Sequence, residues 1–107
     1  MKKTVIWKYP LDRGTLTKLC VPQGANVLSV ARQRCVLNGI ADIYDVAYFE
    51  VDPSAFLLVE WHIIGIPTGM LNVPKDAKFI GTVVGEDSLV FHYYSKEILP
   101  VSPAKET

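Results

Sequence analysis

His62 and His92 are the side chains here whose ordinary titration range lies nearest neutrality, so a general-base reaction would have to begin with one of them. Both fall on the more polar side of an alternating apolar stretch, Phe56 to Ile66 for one and Leu89 to Tyr94 for the other. Were those stretches neighbouring strands, the imidazoles would approach one another, and Glu60 would orient or charge one of them. No nucleophile elbow of the Gly-x-Ser-x-Gly kind, no Walker loop and no dinucleotide fingerprint accompanies them. Asp42 and Asp45 lack the surrounding base or aromatic platform that marks paired catalytic carboxylates. Gly65-Ile66-Pro67-Thr68-Gly69 offers backbone amides to a phosphate, or simply turns the chain. Neither the histidines nor Cys20 and Cys35 show metal-ligand spacing, so no metal, no cofactor and no enzymatic turnover is expected.

Binding chemistry has more material. Trp7 and Tyr9 flank Lys8, and Arg32 and Arg34 stand two apart, the residue types that stack on a base and hold a phosphate. The first third carries Lys2, Lys3, Lys8, Arg13, Lys18, Arg32 and Arg34 against Asp12 alone, whereas Asp42, Asp45, Glu50, Asp52 and Glu60 follow with no base among them. This segregation makes either a basic face for an anion, complementary faces between subunits, or solvated strand faces that pair across a sheet. The formal net charge of zero removes any global attraction for nucleic acid or an anionic membrane.

The elements that must position these groups read as strands, and no window carries a 3.6-residue apolar period. Thr4 to Tyr9 alternates until Pro10, which is expected to stop it; after a turn at Asp12-Arg13-Gly14, Thr15 to Val21 resumes, and the two read as a hairpin. Pro22-Gln23-Gly24 turns the chain. Asn26 to Leu37 changes character at Arg32-Gln33-Arg34, where a bend or bulge is expected. Asn38-Gly39 is a tight-turn pair before Ile43 to Val51, and Asp52-Pro53-Ser54 turns into Phe56 to Ile66. Gly65 to Lys78 is irregular, and its Ile66, Met70, Leu71 and Val73 are expected to plug the core or close over one end as a lid. Phe79 to Val84 and Leu89 to Tyr94 form the last hairpin, joined at Gly85-Glu86-Asp87.

About seven short strands with turn signals between them predict an all-β fold, a compact antiparallel β-sandwich or partly open barrel, with no helix longer than two turns. The 107 residues suit one domain over residues 1–99 and a flexible tail over 100–107. The Met1-Lys2-Lys3 start is not followed by an apolar stretch long enough for a signal peptide, and no run reaches a membrane span. A cytoplasm with both thiols reduced and buried is therefore expected.

Several segments together resemble a family of small uncharacterised proteins of tailed bacteriophages and prophages. They are Trp7-Lys8-Tyr9-Pro10-Leu11, Pro22-Gln23-Gly24-Ala25, Leu28-Ser29-Val30, Val51-Asp52-Pro53, Trp61-His62-Ile63-Ile64-Gly65, Phe79-Ile80-Gly81-Thr82 and Val90-Phe91-His92. Here Gly65 continues as Ile66-Pro67-Thr68-Gly69 where the family tends to continue with threonine and another glycine, and the stretch from Arg34 to Tyr44 is longer than usual. The resemblance implies a phage protein acting in the cytoplasm of an infected bacterial host. Small phage accessory proteins often block a host defence, and sequestration of a nucleotide-like defence signal without turnover is the favoured expectation. Direct inhibition of a host defence complex through the acidic stretch Asp42 to Glu60 and a minor virion or assembly component are the alternatives. A homo-oligomer is expected, and Arg32, Arg34, Trp7, Tyr9 and His92 are the expected ligand-binding residues.

Overall fold

Alternation of apolar and polar side chains, interrupted by Pro, Gly and Asn, yields seven strands: β1 Val5–Leu11, β2 Leu16–Pro22, β3 Asn26–Leu37, β4 Ile40–Val51, β5 Leu58–Pro67, β6 Lys78–Val84 and β7 Val90–Ile98. The computed structural model describes residues 3–12, 16–70, 72–85 and 88–98. The expected turns at Arg13-Gly14 and Glu86-Asp87, the side chain of Leu71 and the tail over 100–107 lie outside the described residues.

The strands form two antiparallel sheets, β1-β4-β3 and β2-β5-β7-β6, packed as a β-sandwich. No helix among the described residues is long and apolar enough to cross a membrane. β1 and β2 are not the hairpin that their short connection suggests. β1 pairs with β4, β2 pairs with β5, and the connection carries the chain from one sheet to the other. Asp12 donates its backbone N–H to Thr17 Oγ1 at 2.7 Å across that corner. Pro10 does not end β1 either: it pairs with Val46, because β1 is an edge strand and a missing donor on its open side costs no ladder bond.

The β3–β4 hairpin is the longest element, and its turn is the expected one, with Asn38 at φ 52° and Gly39 at φ 80°. The β3 bulge falls between Val27 and Ser29, not at Arg32-Gln33-Arg34. Those residues continue the ladder opposite Asp45, Tyr44 and Ile43. β3 also runs close to β6, the edge of the other sheet. A Cβ on Gly81 would lie 2.7 Å from Val30 Cγ2, so the absence of a side chain at 81 allows this seam to close.

The core is drawn from inward positions of both sheets. Phe49 packs edge-on against Tyr9 at 5.4 Å and against Trp61 at 5.2 Å, joining β1 and β4 to β5. Val21, Val51, Ile63, Val83, Phe91 and Tyr93 are among the other buried members of this cluster. Among the described residues the 65–78 stretch does not plug this core, since Met70 and Val73 are exposed and Ile66 belongs to β5. Cys35 is buried as expected but Cys20 is exposed; both are free.

Candidate functional site

The expected ligand-binding residues are placed in three different parts of the sandwich. Arg32 and Arg34 lie on the inward side of β3, but Arg32 faces Asp45, which is fully buried, and its Nη1 donates to Asp45 Oδ1 at 3.1 Å. Tyr93, from the other sheet, donates to Asp45 Oδ2 at 2.5 Å. Asp45 thus accepts from both sheets, and two oxygens are satisfied where an unpaired carboxylate would be costly to bury. The contact with Asp45 ties this guanidinium to the junction of the sheets, although its Nε is buried without a hydrogen-bond partner. Arg34 is exposed, two residues further along the hairpin opposite Ile43.

Trp7 and Tyr9 lie on the far strand of the same sheet, with β4 between them and β3. Tyr9 is in the core contact with Phe49, and burial raises its hydroxyl pKa. His92 is on the outer face of the second sheet. Both its ring nitrogens are engaged, Nε2 with Thr68 Oγ1 at 2.7 Å and Nδ1 with Thr82 Oγ1 at 3.0 Å, which ties β7 to β6 and to the end of β5. The five residues therefore do not converge on one cavity.

The histidine pair also separates. β5 and β7 are neighbours, but His92 stands opposite Ile66 while His62 stands opposite Lys96. Four residues of offset correspond to about 13 Å along the strands. Glu60 does meet His62, with Oε2 and Nε2 at 2.5 Å on an exposed face. Among the described residues no group of three or more His, Cys, Asp or Glu side chains is placed to hold a metal.

A cleft of about 490 Å³ opens elsewhere, at the end of the sandwich where β3 begins and β7 finishes. Its walls are Asn26 and Val27 of β3, Trp61 of β5, Lys78 of β6, Ser95, Lys96 and Glu97 of β7, and Asp76 from the preceding loop. Trp61 forms an apolar floor held by Phe49, and Ser95 is buried beside it, the polar position in an inward series that runs Phe91, Tyr93, Ser95. Lys96 is ion-paired with Asp76, and this contact holds the Asp76 carboxyl below its ordinary range. Lys78 has no ion-pair partner among the described residues.

A volume in the range of small-molecule sites, an aromatic floor and a few polar groups at the rim suit a ligand with a flat ring and an anionic group. Lys78 would meet the anion, Trp61 the ring, and Glu97 or Asn26 its hydrogen-bonding edge. None of these residues is among those singled out by the basic and aromatic clustering of the first third. The signal that reaches them is Ser95, a small polar residue where the period of β7 calls for a third apolar one, with lysines at the facing strand ends.

Residues 1–101 match the family model of a domain of unknown function, DUF7352. No curated protein and no solved structure matches the chain.

Proposed function

The chain belongs to the DUF7352 family, and from the cleft geometry we propose that it acts by binding rather than by turnover, capturing a nucleotide-like small molecule. The single observation that carries this reading is the cleft in which Trp61, the buried Ser95 and the lysines Lys78 and Lys96 meet. The resemblance of its Lys8-Tyr9-Pro10-Leu11, Val51-Asp52-Pro53 and Phe79-Ile80-Gly81-Thr82 segments to tailed-phage proteins supplies the setting. In that setting the protein is a phage accessory factor that sequesters a signal of bacterial antiviral defence in the cytoplasm of the infected host.

Native mass spectrometry after incubation with bacterial cyclic nucleotides and ADP-ribose derivatives tests the reading. An added ligand mass, released unchanged on denaturation, is the expected outcome. A released product of altered mass would replace it with an enzyme, and no adduct from any compound would remove it.

A second reading, direct inhibition of a host defence protein, has its own observation. The loop between β4 and β5 holds Phe56 at 99% exposure, followed by the exposed Leu57 and Leu58. It is shaped by Asp52, whose Oδ1 accepts from the Ser54 N–H at 3.0 Å and from the Ser54 hydroxyl at 2.6 Å. A presented ring of this kind suits an apolar pocket on a protein partner. Co-purification from infected cells, with and without Phe56→Ser, separates this reading from the first.

A further inference from the structure

An antiparallel sheet in a sandwich ordinarily buries one face and solvates the other, and its strands then alternate apolar with polar residues. The sheet β2-β5-β7-β6 departs from this. Ile63-Ile64, Phe79-Ile80, Val83-Val84 and Tyr93-Tyr94 are consecutive apolar pairs, which give its strands apolar side chains on both faces. Inward, Ile63, Val83 and Tyr93 fill the core. Outward, the register lines up Leu16, Ile64, Tyr94 and Phe79 as one row across all four strands. Phe79 and Tyr94 meet edge to face at 5.6 Å, and Leu16 and Phe79 are exposed at the two ends. Ile66, Val90 and the exposed Val84 extend the apolar surface on one side of the row.

We infer that this outer face is the contact between two copies of the chain, packed sheet on sheet. Area and charge both favour that occupant. Four strands about 4.8 Å apart, each contributing about six residues at roughly 3.4 Å, make a face of about 400 Å² in plan. Two such faces together cover about 800 Å² in plan, which lies below the roughly 1,200 Å² of tight complexes and in the range of weak, concentration-dependent interfaces. The zero net charge lets copies approach without global repulsion.

Charge also fixes the symmetry. Lys18 and Lys96 flank His62 in the row next to the apolar one. A two-fold axis parallel to the strands would lay that row on its own copy, lysine against lysine. An axis across the strands, along the Leu16-Ile64-Tyr94-Phe79 row, instead carries it to the partner's Ile66-His92-Thr82 row. Each member of the apolar row then packs on its own counterpart, and the lysine row meets Ile66, His92 and Thr82 of the other copy instead of a second row of lysines. This surface adjoins the cleft at Lys96, but its apolar row of Leu16, Ile64, Tyr94 and Phe79 lies outside the cleft walls, and the inference does not depend on the ligand.

Sedimentation equilibrium from roughly 1 to 200 µM, the range over which an interface of this size dissociates, provides the test. The wild-type chain is expected at twice its monomer mass at the upper concentrations. Phe79→Glu, Phe79→Lys and Leu16→Glu, all at exposed positions, are expected to sediment as folded monomers, with folding checked by circular dichroism. Because Phe79 faces itself, an equimolar mixture of Phe79→Glu and Phe79→Lys is expected to recover a mixed dimer in native mass spectrometry. A monomeric wild type, a dimer indifferent to both Phe79→Glu and Leu16→Glu, or a mixture that stays monomeric would each overturn the inference.

Discussion

At the junction of the two sheets, Arg32, Asp45 and Tyr93 close a buried polar contact in which the carboxylate receives a donor from each side. At the cleft, Lys78, Lys96, Asp76 and Glu97 stand around an aromatic floor, and among them Lys96 and Asp76 form an ion pair. Both regions bring cations and carboxylates together beside rings, but they use them for different ends. Where the carboxylate is fully buried, its partners are fixed by the cost of leaving it bare. Where the groups remain in water, they keep the freedom to exchange one partner for another. An arginine in sequence thus says little about ligands until its burial and its opposite number are known.

The contrast is broken most severely by Asp45→Ala, which strands the Arg32 cation at the junction. A loss of about 3 kcal/mol in urea unfolding is expected, as for other buried pairs deprived of one partner. Tyr93→Phe keeps the ring in the core and removes only the hydroxyl from Asp45; about 1.5 kcal/mol is expected from the same measurement. Gly81→Ala presses a methyl group onto Val30 at the β3–β6 seam, and about 1 kcal/mol of destabilisation should appear.

Lys78→Gln tests the other region and inverts the pattern. Thermal unfolding should be unchanged, while affinity for an anionic nucleotide falls by roughly tenfold or more, the worth of one charge-assisted hydrogen bond. The smallest effect belongs to Asp76. Its carboxyl is held below 3.8 in the folded chain, chiefly by the hydrogen bond from Lys96. The contribution of the pair is therefore complete above that value and disappears as pH falls through the lowered folded one. A carboxyl NMR titration should show the Asp76 midpoint move up towards 3.8 in Lys96→Met; an unmoved midpoint would mean that Lys96 does not hold it.

Much of the fold is legible in the sequence because period-two patterning is local. The inward series Val59, Trp61, Ile63 and Phe91, Tyr93 are read directly from alternation, as is the turn at Asn38-Gly39. Pairing is not local. The β1–β2 connection resembles a hairpin loop in length and composition, and only the competing partners, β4 for one strand and β5 for the other, reveal that it crosses between sheets. The site suffers from the same gap. Arg32 and Arg34 look available until register sets Arg32 opposite Asp45, thirteen positions away. The cleft is assembled from β3, β5, β6, β7 and one loop, so no single stretch of chain announces it.

The proline tolerated within β1 has a bearing on how the protein behaves when crowded. Of the four sheet margins, those of β3 and β6 run against each other, while those of β1 and β2 carry Pro10 and Pro22 together with Lys8 and Lys18. An imino acid offers no hydrogen to a newcomer strand, and a lysine resists being shut away from water. Side-by-side accretion of chains is thereby discouraged, so that even a concentrated stock should resist growing into fibrils.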